Sequence, residues 1–485
     1  KRAALAKAHL LIANHDLLLR WPPDYPAFEH VIADEVHELA DVADEVYALT
    51  VSAELVDERL EELFGRPAPR SGRRGGGALL PAGVLRKFDA DARAWRRELR
   101  AELRALGRVL GERASDFGEL EWVPALAHAL PEAAPAARRC ADRLEAIATT
   151  VEAELEPEDD DPRIQRALAE VREAGAGLRM AFDPERDDAV AHFERLDPPF
   201  DAWRLVLRLV STADPFHEQF LDRVHSFTGV SASLFVGDSA VASLGDLELE
   251  ERAGERLQRV ALSSPFPYQE HMRALALRDS VSLVEETAAV LEDLALLLGG
   301  RTLGLFTSLR RMNQVAEELA PRLRSEGIDV LLPRRAADDP AALLTRFQKG
   351  AAVLLGARKF WQGLDIPGDA LQAVVIEKLP FDVPSELRKR REIRLKRRGE
   401  RAFEQMTLGR MLLHLKQMTG RLIRSEGDRG IAVLVEGRTD KGYFRKLDQG
   451  LPRGVRWQVG TRAELPELLR DVGITPQISR RPRDP

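Results

Sequence analysis

Hydrophobic positions along this chain change their spacing twice. Residues 1–48 read as a helix, a short apolar run at 10–13, a loop, a second apolar run at 31–33 and another helix. Short apolar runs that end in polar residues predict strands of an α/β arrangement. From about residue 50 to 225 the apolar positions recur at helical spacing, as in 88–110 and 164–180, against a background of Ala, Leu, Glu and Arg. Strand signals nearly vanish there, so this stretch is expected to be a helical insertion. Its breaks are a Gly/Arg loop at 72–77 and an acidic turn at 156–162 that ends in proline. After about 226 the alternation returns, with short apolar runs at 302–306, 328–332, 352–355, 373–376 and 431–435, most of them separated by amphipathic stretches. That order predicts a mostly parallel sheet covered by helices on both faces. In such sheets ligands bind at the carboxyl ends of the strands, so the residues just after each run carry the functional interest.

A chain of 485 residues predicts about two to four domains, and 44% hydrophobic beside 31% charged residues fits a globular protein. No apolar stretch approaches a membrane span, and the start shows no signal-peptide pattern. The first residue is Lys1, which leads us to expect a fragment or a processed product. Cys140 is the single cysteine, too few for a disulfide framework, an iron–sulfur cluster or a cysteine-rich zinc site within this chain, and in keeping with a reducing cytoplasm. The net charge of −7 argues against nucleic acid only as a total. Residues 388–401 hold nine basic and two acidic side chains, while acidic residues concentrate elsewhere, as at 152–161. Such a run fits a phosphate-binding track and, equally, a solvated helix face.

Four constellations bear on chemistry. In Val31-Ile32-Ala33-Asp34-Glu35-Val36-His37 a strand would deliver two adjacent carboxylates to its end. Phosphoryl transfer from a nucleoside triphosphate uses such a pair, one for Mg²⁺ and one to orient or deprotonate water. The bland alternative is a capped helix start. A zinc-protease reading fails, because Asp41 stands where a second histidine would be required. In Gln417-Met418-Thr419-Gly420-Arg421-Leu422-Ile423-Arg424 two arginines three apart would share one face of a helix, where they could stabilise a γ-phosphate or simply form surface ion pairs. Phe360-Trp361-Gln362-Gly363-Leu364-Asp365-Ile366-Pro367-Gly368 combines aromatics, glycines and an aspartate after a strand. Ser231 and Thr307 put hydroxyls at strand ends, as phosphate contacts require, although such residues are also ordinary loop chemistry.

Taken in order, the D-E-x-H box, the insertion, S-A-S-L, L-F-T-S, F-W-Q-G-L-D-I-P-G, K-L-P-F at 378–381 and Q-x-x-G-R-L-I-R-S resemble superfamily 2 DNA helicases of the DinG/XPD type. The opening Ile12-Ala13-Asn14-His15-Asp16 is similar to that family's Asn-His segment. The resemblance covers nearly the whole chain. It implies an α/β protein of two RecA-like parallel-sheet domains, the first incomplete, with a large all-helical, Arch-like insertion. Expected boundaries are 1–49 and 226–263 for the first RecA-like domain, 50–225 for the insertion and 264–485 for the second. The implied activity is ATP-dependent translocation 5′ to 3′ on single-stranded DNA coupled to duplex unwinding, with single-stranded DNA or forked or flapped DNA as the partner. On the matching positions Asp34 would help to hold Mg²⁺, Glu35 would activate water and His37 would couple the domains. Gly363, Asp365, Gln417 and Gly420 would bind ATP, with Arg421 and Arg424 as its arginine fingers. Asn14, Ser231, Thr307 and Trp361 would lie near DNA.

The sequence also departs from the family pattern. No G-x-x-x-x-G-K-S/T occurs, so the phosphate-cradling loop is absent from these residues and the chain alone is expected to be inactive as an ATPase. Cluster cysteines of the family would fall ahead of Asn14, so any iron–sulfur cluster would belong to a preceding segment. Ser-Ala-Ser replaces the usual Ser-Ala-Thr, and Gln362 and Glu436 replace Glu and Asp. Two other readings stay open at this point: a non-catalytic DNA-binding or scaffold protein, and the motor part of a helicase–exonuclease fusion.

Overall fold

The computed structural model describes residues 5, 7–22, 25–65, 77–114, 119–156, 161–183, 185–196, 202–278, 282–333, 340–357, 366 and 368–477. They form two compact units: one of residues 1–33, 38–228 and 384–400, the other of 34–37, 229–383 and 401–485.

The first unit starts with a correction. Residues 10–13, expected as a strand, pair with no strand among the described residues, and Leu10 and Ile12 are exposed. An apolar run becomes a strand only when a neighbour takes up its backbone hydrogen bonds. The run at 31–33 does find one: β1 (His30–Ala33) is joined to β6 (Ser226–Gly229) in a two-stranded sheet. Between them lie the long helices the spacing predicts, Ala53–Phe64, Ala82–Gly111, Ala133–Glu152 and Pro162–Ala181. Ser52 and Asp161 cap two of these by accepting from Leu55 and Arg163 backbone N–H groups, and Pro162 fits the first turn because that position needs no donor. Leu144, Ile147 and Val151 bury against Ile164, Leu168 and Val171, forming the centre of the core.

The insertion is not helical throughout, as it was expected to be. It carries a four-stranded antiparallel sheet in the order β2-β5-β4-β3, made of β2 (Leu49–Ser52), β3 (Glu119–Glu121), β4 (Ala189–Arg195) and β5 (Trp203–Leu209). In β5, Trp203, Leu205 and Leu207 point inward while Arg204 pairs outward with Glu194. The charged outer positions made this segment look like one more Arg-rich helix. Its two-residue alternation was the overlooked signal.

The second unit is built on a seven-stranded parallel sheet, ordered β13-β7-β12-β11-β8-β10-β9. Its strands are β7 (Met272–Leu277), β8 (Thr302–Leu305), β9 (Asp329–Leu331), β10 (Ala352–Gly356), β11 (Ala373–Lys378), β12 (Gly430–Glu436) and β13 (Trp457–Gly460). Five of these match the expected runs; β7 and β13 were not anticipated. Val374 and Ile376 enter one core, with the helix Gly409–Thr419, whereas Ala373 and Val375 enter the other, with Leu283–Leu298 and Leu309–Arg324. Burial on both faces is why these strands read as unbroken apolar runs.

Candidate functional site

Val31 and Ala33 are the buried positions of β1, and the strand releases the chain into solvent at Asp34 and Glu35. Glu35 has φ of 48°, in the left-handed region that costs a residue with a side chain on the order of 1 kcal/mol. Several contacts impose that conformation. The Asp34 carboxylate accepts the Glu35 N–H at 2.9 Å, and the Val36 N–H donates to the Val230 carbonyl at 3.0 Å. Gly229 lets Val36 approach: a Cβ there would lie 2.9 Å from its methyl.

Three side chains converge as a result. His37 Nδ1 is 2.8 Å from Ser231 Oγ and 3.3 Å from Glu35 Oε2, and the Ser231 hydroxyl is 3.4 Å from the same carboxylate. His37 is buried, while the Glu35 side chain is 56% exposed and so open to a ligand. Ser231, expected near DNA, is here a partner of the acidic box. The sequence placed these residues nearly two hundred positions apart, and no local pattern announces their meeting.

The second constellation departs from the shared helix face expected for its arginines. The helix Gly409–Thr419 ends before them, and Arg421 and Arg424 lie in the following turn. Gly420 closes the helix with its N–H on the Lys416 carbonyl. Beyond it, Asp428 replaces helical bonding: its carboxylate accepts from the backbone N–H of Arg424 at 2.7 Å and of Ser425 at 2.8 Å, and from the Ser425 hydroxyl at 2.7 Å. Burial pushes the Asp428 carboxyl up, but these bonds, with one from the Gly368 backbone, outweigh it and hold the group below its ordinary value. Leu422 and Ile423 are buried and anchor the turn. The sequence signal for Asp428 is the Ser-Glu-Gly-Asp run, a recognisable side-chain-to-backbone turn.

Gln417, in the last turn of that helix, is 8% exposed, and neither atom of its amide has a hydrogen-bond partner among the described residues. Native proteins seldom leave a buried amide unsatisfied. The turn containing Arg421 and Arg424 precedes β12, so this cluster sits toward the amino end of that strand and not at a carboxyl end as the sheet rule led us to expect. Trp361, Gly363 and Asp365 lie outside the described residues.

Of the remaining candidates, Asn14 caps the helix His15–Leu19 by accepting from the Leu17 N–H. Thr307 Oγ1 accepts from Arg311 at 3.0 Å, and Arg311 also pairs with the buried Glu377. Two arginines of the basic run are held by the fold. The helix of this run, Glu386–Arg397, groups with the first unit. Arg391 is buried, makes a two-pronged bond to Asp44 at 2.7 and 2.8 Å, and donates to the carbonyls of Leu209 and Val210. Arg390 donates to the carbonyls of Arg186 and Ala189, and Arg397 pairs with Asp187.

Residues 291–454 match the family of the helicase C-terminal domain. The chain is 30% identical over 246 residues to the 3'-5' exonuclease DinG of Bacillus subtilis (strain 168), covering 48% of this chain and 26% of that protein. It is 29% identical over 310 residues to the ATP-dependent DNA helicase YoaA of Escherichia coli (strain K12), covering 57% and 47%. With the ATP-dependent helicase DinG of Mycobacterium tuberculosis (strain ATCC 25618 / H37Rv) the figures are 28% over 323 residues, 62% and 46%. The chain thus spans between about a quarter and a half of the length of these relatives. A solved XPD helicase has the same overall fold, with a TM-score of 0.51 at 14% identity, covering 95% of this chain and 74% of that one. No helix among the described residues is long and apolar enough to cross a membrane.

Proposed function

Because the chain is a relative of the DinG/XPD-type superfamily 2 helicases, we propose that it supplies most of the motor of an ATP-driven DNA helicase moving 5′ to 3′ on single-stranded DNA. The observation that carries this reading is the Glu35–His37–Ser231 cluster, in which a strained backbone holds an open carboxylate against a buried imidazole. Glu35 takes a proton from the water that attacks the γ-phosphate. His37 reports the state of that carboxylate to Ser231 and so to the segment behind it. Gln417 is the buried donor and acceptor whose partner would be nucleotide or the attacking water. Arg421 and Arg424 bring positive charge to the γ-phosphate from a turn that Asp428 keeps in place. Gly363, Asp365 and Gly420 complete the nucleotide contacts in this proposal.

Asp34, exposed beside Glu35, would hold the Mg²⁺ that accompanies ATP, because one carboxylate suffices for an ion that draws most of its ligands from phosphate and water. When bound, the ion would offset charge on the phosphates. The phosphate-cradling loop is not among these residues, so the chain by itself is expected to show no robust ATPase. In a complete protein that includes such a loop, single-stranded DNA should stimulate hydrolysis, and Glu35→Gln should abolish turnover while nucleotide still binds. Turnover persisting in that variant would remove Glu35 from the mechanism. DNA binding with no ATPase in the complete protein would favour the scaffold reading.

A further inference from the structure

β11 and β12 are neighbours in register, with Lys378 opposite Glu436, so the loops that follow them leave the same edge of the sheet. The first carries the half-buried Phe381 and the 82% exposed Val383, the second the half-buried Tyr443, both rings resting in part on the core. The rings of Phe381 and Tyr443 meet edge to face at 5.7 Å, and Phe403, 47% exposed, lies 6.4 Å from Tyr443. Three aromatics thus gather at the carboxyl edge of a parallel sheet, where such sheets take their ligands.

The platform is held rigidly. Next to Phe381, Asp382 pairs with Arg410 at 3.2 Å and lies 3.9 Å from His414, all three largely buried. Lys446 pairs with Glu404 at 2.8 Å and ties the second loop to the turn that bears Phe403. That turn, Phe403–Leu408, is a π-helix, a form frequent at functional sites. Arg438, just after β12, has φ of 51°, a strained conformation at this edge.

Charge selects the occupant. Residues 437–446 (GRTDKGYFRK) contain Arg438, Lys441, Arg445 and Lys446 against Asp440; Arg438 also pairs with Glu436 at 3.0 Å, Lys441 with Asp440 at 2.7 Å and Lys446 with Glu404, and such exposed pairs can be exchanged for phosphates at little cost. Aromatic faces among basic side chains suit a polyanion with exposed bases. At the same edge β8 borders β11, and Thr307 follows it, its hydroxyl held by Arg311, which pairs with Glu377. We infer that Phe381, Phe403 and Tyr443 form a base-stacking subsite for single-stranded DNA on the second unit, flanked by Arg438, Lys441 and Arg445. This rests on the proposed action on single-stranded DNA and adds where the bases are gripped.

The test measures binding of this chain to a fluorescent oligothymidylate and to an abasic strand of the same length and charge, by anisotropy. Phe403→Ala and Tyr443→Ala should each weaken oligothymidylate binding about ten-fold. Tyr443→Phe should bind like the parent, and the abasic strand should bind parent and variants alike. Circular dichroism and thermal melting establish that the variants fold, and Phe403, about half exposed, is the ring least tied to the core. Parent binding to oligothymidylate with both alanine variants unchanged overturns the subsite and leaves the motor reading intact. Equal losses on the abasic strand overturn it too, because they assign the effect to charge or fold. If the parent bound neither strand, the subsite and the reading beneath it would fall together.

Discussion

Asp428→Ala should loosen the turn that carries Arg421 and Arg424. The Asp428 side chain is buried and accepts from three backbone N–H groups and one hydroxyl. A hydrogen bond to a charged group contributes about 1.5–3 kcal/mol, so a simple sum over four would exceed 6 kcal/mol. The sum overstates the loss, since Arg424 and Ser425 are exposed and water can replace part of it. A net loss of about 3 kcal/mol is expected, which for a unit of this size lowers Tm by roughly 6–12 °C. Asp428→Asn, which keeps one acceptor oxygen but turns an N–H₂ toward donors, should fall between. The sign with pH follows from the lowered carboxyl: its stabilisation is present above the ordinary carboxylate range and disappears as pH falls through the lowered value in the folded state. Calorimetry of parent and variant from pH 7 down to pH 3 should therefore show a gap that narrows below about pH 4. An Asp428→Ala protein melting within a degree of the parent, or a gap that stays constant across that range, would refute this account of the turn.

Other outcomes follow from the same geometry. Arg391→Met should destabilise the first unit by about 3–5 kcal/mol in chemical denaturation, because it removes the two-pronged partner of the largely buried Asp44 carboxylate, and adding Asp44→Leu should recover much of the loss. If the single variant leaves oligonucleotide binding intact once folded, the structural assignment of Arg391 holds. Gln417→Leu should raise the stability of the nucleotide-free chain by roughly 1 kcal/mol, since an unpaired buried amide is removed, and should weaken nucleotide binding in the complete protein. A loss of stability would mean that the amide is satisfied. Glu35→Gly should relieve the left-handed backbone and add about 1 kcal/mol to the stability of the chain, measured by melting, while eliminating phosphate release in the complete protein; a destabilised Glu35→Gly would show that residue 35 is not strained.

The linear order of residues determined the strand at 31–33, the five apolar runs of the parallel sheet and the long helices between them. Those features are local: a strand buried on both faces must be apolar throughout, and a helix with one buried face must repeat every three to four residues. Tertiary structure decided the rest. Arg204 and Arg208 read as helix surface until neighbouring strands turned them into the outer face of a sheet. Arg391 reads like any other cation of its run, and only the distant Asp44 and the ends of β5 make it an internal anchor. Ser231 reaches His37 and Glu35 across nearly two hundred residues, and Asp428 draws Arg424 off the expected helix. A polar side chain declares what it can bond to, but its partner is chosen by whatever the fold brings within about 3 Å, and that selection is non-local.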